Sequence, residues 1–232
     1  MTSPQQPGAV VLLSGGMDSC VTAALAARKQ LTAALHVSYG QRTEAREAEA
    51  FEAICGRLGL APRLHVRNSM LGELGGSALT DQAVPVPEAG ERIGRGPVPV
   101  TYVPFRNAHL LAAAVSWAEV LGAKKVYIGA VEQDSSGYPD TRPGFLQAFA
   151  EAVRTGTAAG DIDLVAPLLS LSKAEIVRLG LELGAPLDLT WSCYSREDQA
   201  CAVCESCVLR LRAFAAAGAR DPLPYAAQPA PA

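Results

Sequence analysis

One short stretch constrains this chain more than any other. A run of apolar β-formers, Val10-Val11-Leu12-Leu13, leads directly into Ser14-Gly15-Gly16-Met17-Asp18-Ser19, and Cys20 to Ala27 continues as an apolar, alanine-rich helix. The run reads as a buried parallel strand. Two glycines at a strand-to-helix turn let the backbone take positive φ and approach a ligand closely. The turn opens a helix N-terminus, where free N–H groups and the dipole favour an anion. Ser14 and Ser19 add hydroxyl donors. Together these features predict a phosphate cradle; the plainer reading is a tight turn with an N-capping Ser or Asp.

This is not the common phosphate loop, which ends in Gly-Lys-Ser/Thr, because the first lysine in the chain is Lys29. It is not the dinucleotide fingerprint, because the third glycine is missing. Ser-Gly-Gly-x-Asp-Ser resembles the PP-loop of the ATP pyrophosphatases. That resemblance implies cleavage of ATP between the α and β phosphates, with pyrophosphate held on the loop.

Downstream, strand and helix patterns alternate. Leu31 to Ser38 reads as a strand. Thr43 to Leu58 reads as a helix, with Ala45, Ala48, Phe51, Ile54 and Leu58 at helical spacing. Arg63 to Val66, Lys125 to Val131 and Ile162 to Val165 read as strands. Asn107 to Leu121, ended by Gly122, and Gly144 to Thr155 read as helices. This alternation predicts an α/β fold with a parallel, doubly wound sheet. The PP-loop resemblance implies its adenine-nucleotide alpha-hydrolase, Rossmann-like form. Ligands bind beyond the carboxyl ends of such strands. The opening motif, Ser38 to Arg42 and Gly129 to Asp134 are therefore expected to converge on one crevice.

A length of 232 residues fits one core. An ATP-binding α/β domain is expected over 1–190, a zinc-binding helical region over 191–220 and a flexible, proline-rich tail over 221–232. Residues 68–99 show no period and many Gly and Pro residues, which predicts a mobile lid. A net charge of −3 argues against a basic nucleic-acid surface, so no direct nucleic-acid partner is expected. The first residues form a polar stretch without a signal-peptide pattern, and no apolar run has membrane-spanning length. The expectation is a cytoplasmic protein without a membrane partner; a homodimer is compatible with all of this.

The cysteines give the second signal. Four fall as Cys193-x7-Cys201-x2-Cys204-x2-Cys207, a spacing that converges sulfurs on one tetrahedral centre. In a chain expected to be cytoplasmic, metal precedes disulfide. Zinc suits four thiolates best, with an iron–sulfur cluster as the rival. Four protein ligands leave no open position, so one structural Zn²⁺ is expected, pinning the helix Glu205 to Ala217 to the body. Cys20 and Cys55 lie on apolar helix faces and are expected to be buried.

Several further blocks make the resemblance specific. They are Ser38-Tyr39-Gly40-Gln41-Arg42, Gly76-Ser77-Ala78-Leu79-Thr80, Thr101-Tyr102-Val103-Pro104-Phe105-Arg106-Asn107, Asp134-Ser135-Ser136-Gly137-Tyr138-Pro139-Asp140, Ser172-Lys173-Ala174-Glu175-Ile176-Val177 and Leu189-Thr190-Trp191-Ser192-Cys193-Tyr194. With the PP-loop and the cysteines, they resemble the 7-cyano-7-deazaguanine synthase family from about Val10 to Pro222. Two positions depart from the family pattern. Phe105 stands where glycine is usual and is expected to narrow the crevice. Thr141 stands where many members have cysteine, so no catalytic thiol is assigned there.

The resemblance implies conversion of 7-carboxy-7-deazaguanine, ammonia and ATP to 7-cyano-7-deazaguanine, AMP and pyrophosphate, on the way to queuosine. Mg²⁺ accompanies ATP. On this reading Leu13, Ser14, Gly15, Gly16, Met17, Asp18 and Ser19 hold ATP, and the backbone of His36, Val37 and Ser38 takes the adenine. Asp18, Ser14, Arg106 and Lys173 carry the chemistry. Arg106, Asn107, Asp134, Ser136, Tyr138 and Asp140 meet the substrate, with Asp134 or Asp140 reading its guanine-like edge. Plainer readings stand beside these: a helix cap for Asp18, a surface ion pair for Arg106, an Asx turn at the 134–140 loop, and a capping box starting at Ser172 for the Lys173 segment. The alternatives for the whole chain are a tRNA-thiolating PP-loop enzyme, an amidotransferase-type synthetase and a zinc-stabilised binding module. The net charge and the four cysteines committed to metal count against the first, the short length against the second, and the PP-loop at a strand end against the third.

Overall fold

The computed structural model describes residues 6–89, 98–132 and 137–226. The elements in chain order are β1 (Ala9–Leu12), α1 (Met17–Lys29), β2 (Thr32–Ser38), α2 (Glu44–Leu58), β3 (Arg63–Arg67), α3 (Ser69–Leu74), α4 (Arg106–Leu121), β4 (Lys125–Tyr127), α5 (Pro143–Gly156), β5 (Asp163–Val165), α6 (Lys173–Leu183) and α7 (Glu205–Ala216). The sheet order is β3-β2-β1-β4-β5 with every pair parallel. Chain order reverses direction about β1, the switch point at which ligands enter doubly wound sheets. Both β1 and β2 are buried along their whole length, which fits the unbroken apolar run of β1; β2 carries Thr32, His36 and Ser38 as buried polar residues.

Successive side chains of β1 feed opposite faces. Val11 joins Val21, Phe51, Ile54, Ile176 and Phe214 in one layer, under α1, α2, α6 and α7. Val10 and Leu12 join Leu35, Leu111, Val115 and Val126 in the other, under α4 and α5. Phe51 is fully buried, and truncating such a ring to alanine costs about 3–5 kcal/mol. Because Ala213 and Phe214 of α7 sit in the same layer as Val11, the helix after the cysteines shares the core of the α/β body. Among the described residues no helix is long and apolar enough to cross a membrane.

Three sequence expectations need correction. The strand predicted over Lys125 to Val131 ends at Tyr127. Past it, Gly129 lies so close to α1 that an added Cβ would stand 2.9 Å from Ser19 N and 3.0 Å from the Asp18 carbonyl carbon. The segment 68–99 is not uniformly structureless. It begins with α3, buries Ser77, Ala78 and Leu79, and is gripped by Arg42, whose guanidinium donates to the carbonyls of Ala78, Asp81 and Val84; residues 90–97 lie outside the described ones. The tail predicted to fray from Asp221 is packed through 226. Asp221 pairs with buried Arg210, Leu223 is buried, and Tyr225 bridges to Ala200. Prolines made this stretch look loose, but a buried charge partner holds it.

Candidate active site

The turn after β1 faces a cavity of about 290 Å³ at the carboxyl end of the sheet. Gly15 has φ +89°, and a Cβ there would lie 2.7 Å from the Glu47 carbonyl oxygen, so turn conformation and close packing both require glycine. Gly16 is extended and caps α1 with its backbone. The Ser14 and Ser19 hydroxyls lie 3.1 Å apart, and Ser19 Oγ donates to the Gly16 carbonyl at 2.9 Å. The first turn of α1 thus presents N–H groups and hydroxyls to the cavity, the arrangement that favours an anion.

Asp18 does not cap α1. Its Oδ2 accepts from Lys173 Nζ at 2.5 Å. Its Oδ1 is buried with no partner among the described residues, an oxygen suited to a hard cation. Lys173 opens α6 directly after Ser172, whose capping box closes on Glu175. The two sequence readings of this block therefore coexist, because the box aims the lysine at the loop.

The β2 end behaves residue by residue. Pairing with β1 ends at Leu35. Val37 points its backbone to the same side as Leu35, so its N–H and C=O open onto the crevice, which Val37 lines. The side chains of His36 and Ser38 are buried and turned elsewhere, His36 Nδ1 3.0 Å from the Leu13 carbonyl and Ser38 Oγ 2.7 Å from His65 Nε2.

Arg106 enters at the start of α4. It donates to Tyr39 Oη at 2.9 Å, and its guanidinium lies 5.5 Å from the Tyr39 ring centre and 5.7 Å from that of Tyr138. Its Nε is buried without a partner among the described residues, which is not how a surface ion pair is built. Phe105 does not narrow the crevice. It is 56% exposed and packs edge-on against Phe145, with ring centres 5.9 Å apart. It also holds φ 57°, a left-handed conformation costly for a residue with a Cβ. Asp140 is buried, its Oδ2 accepts the Asn107 N–H at 2.8 Å and tethers the N-terminus of α4, and its Oδ1 has no partner among the described residues. Asn107 and Tyr138 line the crevice, and Tyr138 Oη donates to Thr101 Oγ1 at 3.0 Å. Thr141 lines it too, its hydroxyl donating to the Tyr138 carbonyl. Asp134 and Ser136 lie outside the described residues.

The sequence reading missed Glu47, Tyr39, Trp191, Tyr194 and Arg210, all of which line the crevice. Burial pushes the Glu47 carboxyl up to about 7, against hydrogen bonds from Thr43 and Gln41 that favour its ionised form. Burial likewise pushes the Tyr39 phenol up to about 12. Tyr39, Trp191 and Tyr194 fall within the family blocks, which was the signal for them; Glu47 carried none beyond a polar position on an amphipathic helix.

Cys193, Cys201, Cys204 and Cys207 bring their sulfurs within 4.8 Å of one another. Backbone N–H groups of Ser195 and Cys201 point at Cys193 Sγ, and that of Cys204 at Cys201 Sγ, at 3.3–3.4 Å. Such donors stabilise thiolates and orient metal ligands. The cluster packs on buried Trp191, whose backbone N–H donates to the Gly15 carbonyl at 2.8 Å. Two residues of chain thus join the first cysteine to the phosphate turn.

Residues 8–218 match the model of the family described as queuosine biosynthesis protein QueC. The 7-cyano-7-deazaguanine synthase of Koribacter versatilis is 68% identical over 221 residues, covering 94% of this chain and 93% of that protein. That of Acidobacterium capsulatum is 62% identical over 226 residues, covering 97% and 99%. An NH3-dependent NAD synthetase from Campylobacter jejuni superposes with a TM-score of 0.45 at 20% identity, over 81% of this chain and 68% of that one. With its parallel sheet, its Gly-Gly turn at the switch point and a match that spans almost the whole chain, this protein belongs to the QueC family.

Proposed function

We propose that the chain is an ATP-dependent 7-cyano-7-deazaguanine synthase of queuosine biosynthesis, taking 7-carboxy-7-deazaguanine and ammonia to the nitrile with release of AMP and pyrophosphate. A carboxylate is a poor acyl donor because its oxygen leaves badly. Its oxygen therefore attacks the α-phosphorus of ATP, the bond to the bridging oxygen breaks, and pyrophosphate leaves. Ammonia then displaces AMP from the acyl adenylate and gives the amide. The amide oxygen attacks the α-phosphorus of a second ATP with release of a second pyrophosphate and a proton, and loss of AMP and a further proton leaves the nitrile.

The residues divide this work by position. Ser14, Ser19 and the N–H groups opening α1 hold the pyrophosphate portion of ATP. Lys173, fixed by Asp18, neutralises charge as it develops there. The Val37 backbone takes the adenine, and Arg106 and Tyr138 form the wall for the acid. Mg²⁺ fits Asp18 Oδ1, the buried oxygen without a partner among the described residues, and when bound supplies charge neutralisation to the phosphates. The four sulfurs fit one structural Zn²⁺. Outside that cluster Cys20 and Cys55 are buried, with thiols pushed up to about 12 by burial. Neither is built to carry sulfur for tRNA thiolation.

The observation that carries this reading is the phosphate turn at the sheet's switch point, with Lys173 and Arg106 facing the same cavity. Incubation with ATP, ammonium and 7-carboxy-7-deazaguanine, followed by mass analysis, is expected to give the nitrile with AMP. ADP and phosphate as products would overturn the reading.

A further inference from the structure

The described wall of the crevice carries two carboxylates, Asp18 and Glu47, and no histidine. Asp18 is paired with Lys173. Glu47 forms no ion pair among the described residues. Its carboxylate is nevertheless held in place. Thr43 Oγ1 donates to Oε1 at 2.8 Å and Gln41 Nε2 donates to Oε2 at 3.0 Å, while Gln41 Oε1 accepts the Tyr39 N–H. The chain from the end of β2 into α2 is thus folded around this one acid. Glu47 also sits on the phosphate turn, since its carbonyl oxygen fills the space a Cβ at Gly15 would need.

We propose that Glu47 is the general base of amide formation, accepting a proton from ammonia as it attacks the acyl adenylate. The assignment rests on the activity proposed above and names a residue for one of its steps. The nitrogen lone pair bonds to the acyl carbon. The carbon–oxygen bond to AMP breaks, and AMP leaves with the electron pair. One N–H proton passes to the Glu47 carboxylate and from there to solvent, which leaves a neutral amide. Lys173 and Arg106 are cations, and Tyr39 Oη accepts from Arg106. The charged and titratable groups bearing on Glu47 are Arg106 at the start of α4, Tyr39 after β2 and Glu44 on its own helix. The phosphate turn meets it through backbone. Burial raises the basicity of the carboxylate toward neutral pH, where a base is most effective.

The test separates adenylation from amide formation. Glu47→Gln keeps the shape of the side chain and an oxygen to accept hydrogen bonds. The variant is expected to retain exchange of labelled pyrophosphate into ATP, dependent on the carboxylic acid and needing no ammonia. Its ammonium-dependent amide formation is expected to fall by ~100-fold, the low end of what a general base contributes. Equal loss of exchange and amide formation would overturn the proposal and make Glu47 a positioning residue for the turn. Amide formation at the wild-type rate would overturn it as well. Wild-type protein that shows no acid-dependent exchange would instead sink the activity reading, and the base with it.

Discussion

Replacing Asp221 by alanine tests whether the C-terminal stretch is structural. Arg210 and Asp221 have side chains 2% and 3% exposed, and the pair is bidentate, with Arg210 Nε on Oδ2 at 2.8 Å and Nη2 on Oδ1 at 3.0 Å. The carboxylate also accepts the Leu223 N–H and the Tyr225 hydroxyl. Removing one partner of a buried pair leaves the other charged and uncompensated, at roughly 3–5 kcal/mol. Arg210 keeps three neutral acceptors, Thr190 Oγ1, Ser192 Oγ and the Leu187 carbonyl. That places Asp221→Ala near the lower end, at ~3 kcal/mol, a large part of the roughly 5–15 kcal/mol of a typical domain. At about 2–4 °C per kcal/mol for a chain of this size, the midpoint of thermal unfolding should fall by about 6–12 °C. Guanidinium unfolding of the metal-loaded protein should show the loss in the midpoint with an unchanged slope. Replacing both partners by apolar residues, Arg210→Met with Asp221→Leu, should recover much of it. A loss under ~1 kcal/mol, the size of an exposed ion pair, would refute the reasoning and return 221–226 to the status of a loose tail.

Asp18→Asn and Ser14→Ala should abolish AMP release while leaving the thermal midpoint near that of the parent, measured side by side; turnover in both at the wild-type rate would reduce the loop to a turn. Gly129→Ala should lose activity more than stability, because its Cβ would press on the Ser19 N–H and the Asp18 carbonyl that set the cradle, and ATP binding by calorimetry reads this directly. Cys204→Ser should lower bound metal and thermal stability, since ligand loss in a structural site is folding free energy, whereas Cys20→Ser should leave elemental analysis unchanged. Glu47 gives a pH test. Its carboxyl, raised from 4.5 to about 7 in the fold, binds a proton there that the unfolded chain has lost, so its contribution is present below the unfolded value and disappears as pH rises through about 7. Glu47→Gln should therefore gain stability relative to wild type between about pH 5 and pH 8, and a constant difference across that range would contradict the burial.

What could be read from the sequence was local. The turn after β1 is written in consecutive residues, Ser14 to Ser19, because strand end, positive φ and helix start must follow one another within a few positions. The cysteine cluster is written the same way, in a spacing that brings all four sulfurs within 4.8 Å of one another. The sheet was legible because a strand buried on both faces is largely apolar, as β1 is throughout and β2 is from Ala33 to Leu35. What failed was non-local. Pro222 and Pro224 suggested fraying, and nothing near them announced that Asp221 would meet an arginine on a helix several residues before it. Nothing around Asp140 announced its tie to α4, because the Asn107 N–H that its Oδ2 accepts lies 33 residues earlier in the chain. Phe105 looked like a wall because it precedes Arg106, but its left-handed backbone sends the ring toward Phe145.

These same non-local links explain why a phosphate turn and a metal cluster share one chain. The backbone N–H of Trp191 is fixed on the Gly15 carbonyl, and its side chain is buried in one cluster with Cys193, Cys204 and Cys207. Arg210, three residues past the last cysteine, holds Thr190 and Ser192 on either side of that tryptophan. A metal held by the four sulfurs would therefore also fix the segment that closes the far side of the turn after β1. Losing the ion would loosen Trp191 first and the Gly15 carbonyl with it. The cluster then acts on activity only through the position of that turn, so affinity for ATP should fall together with stability as metal is withdrawn. A metal-free protein that kept its affinity for ATP would break this chain of argument at the Trp191 link.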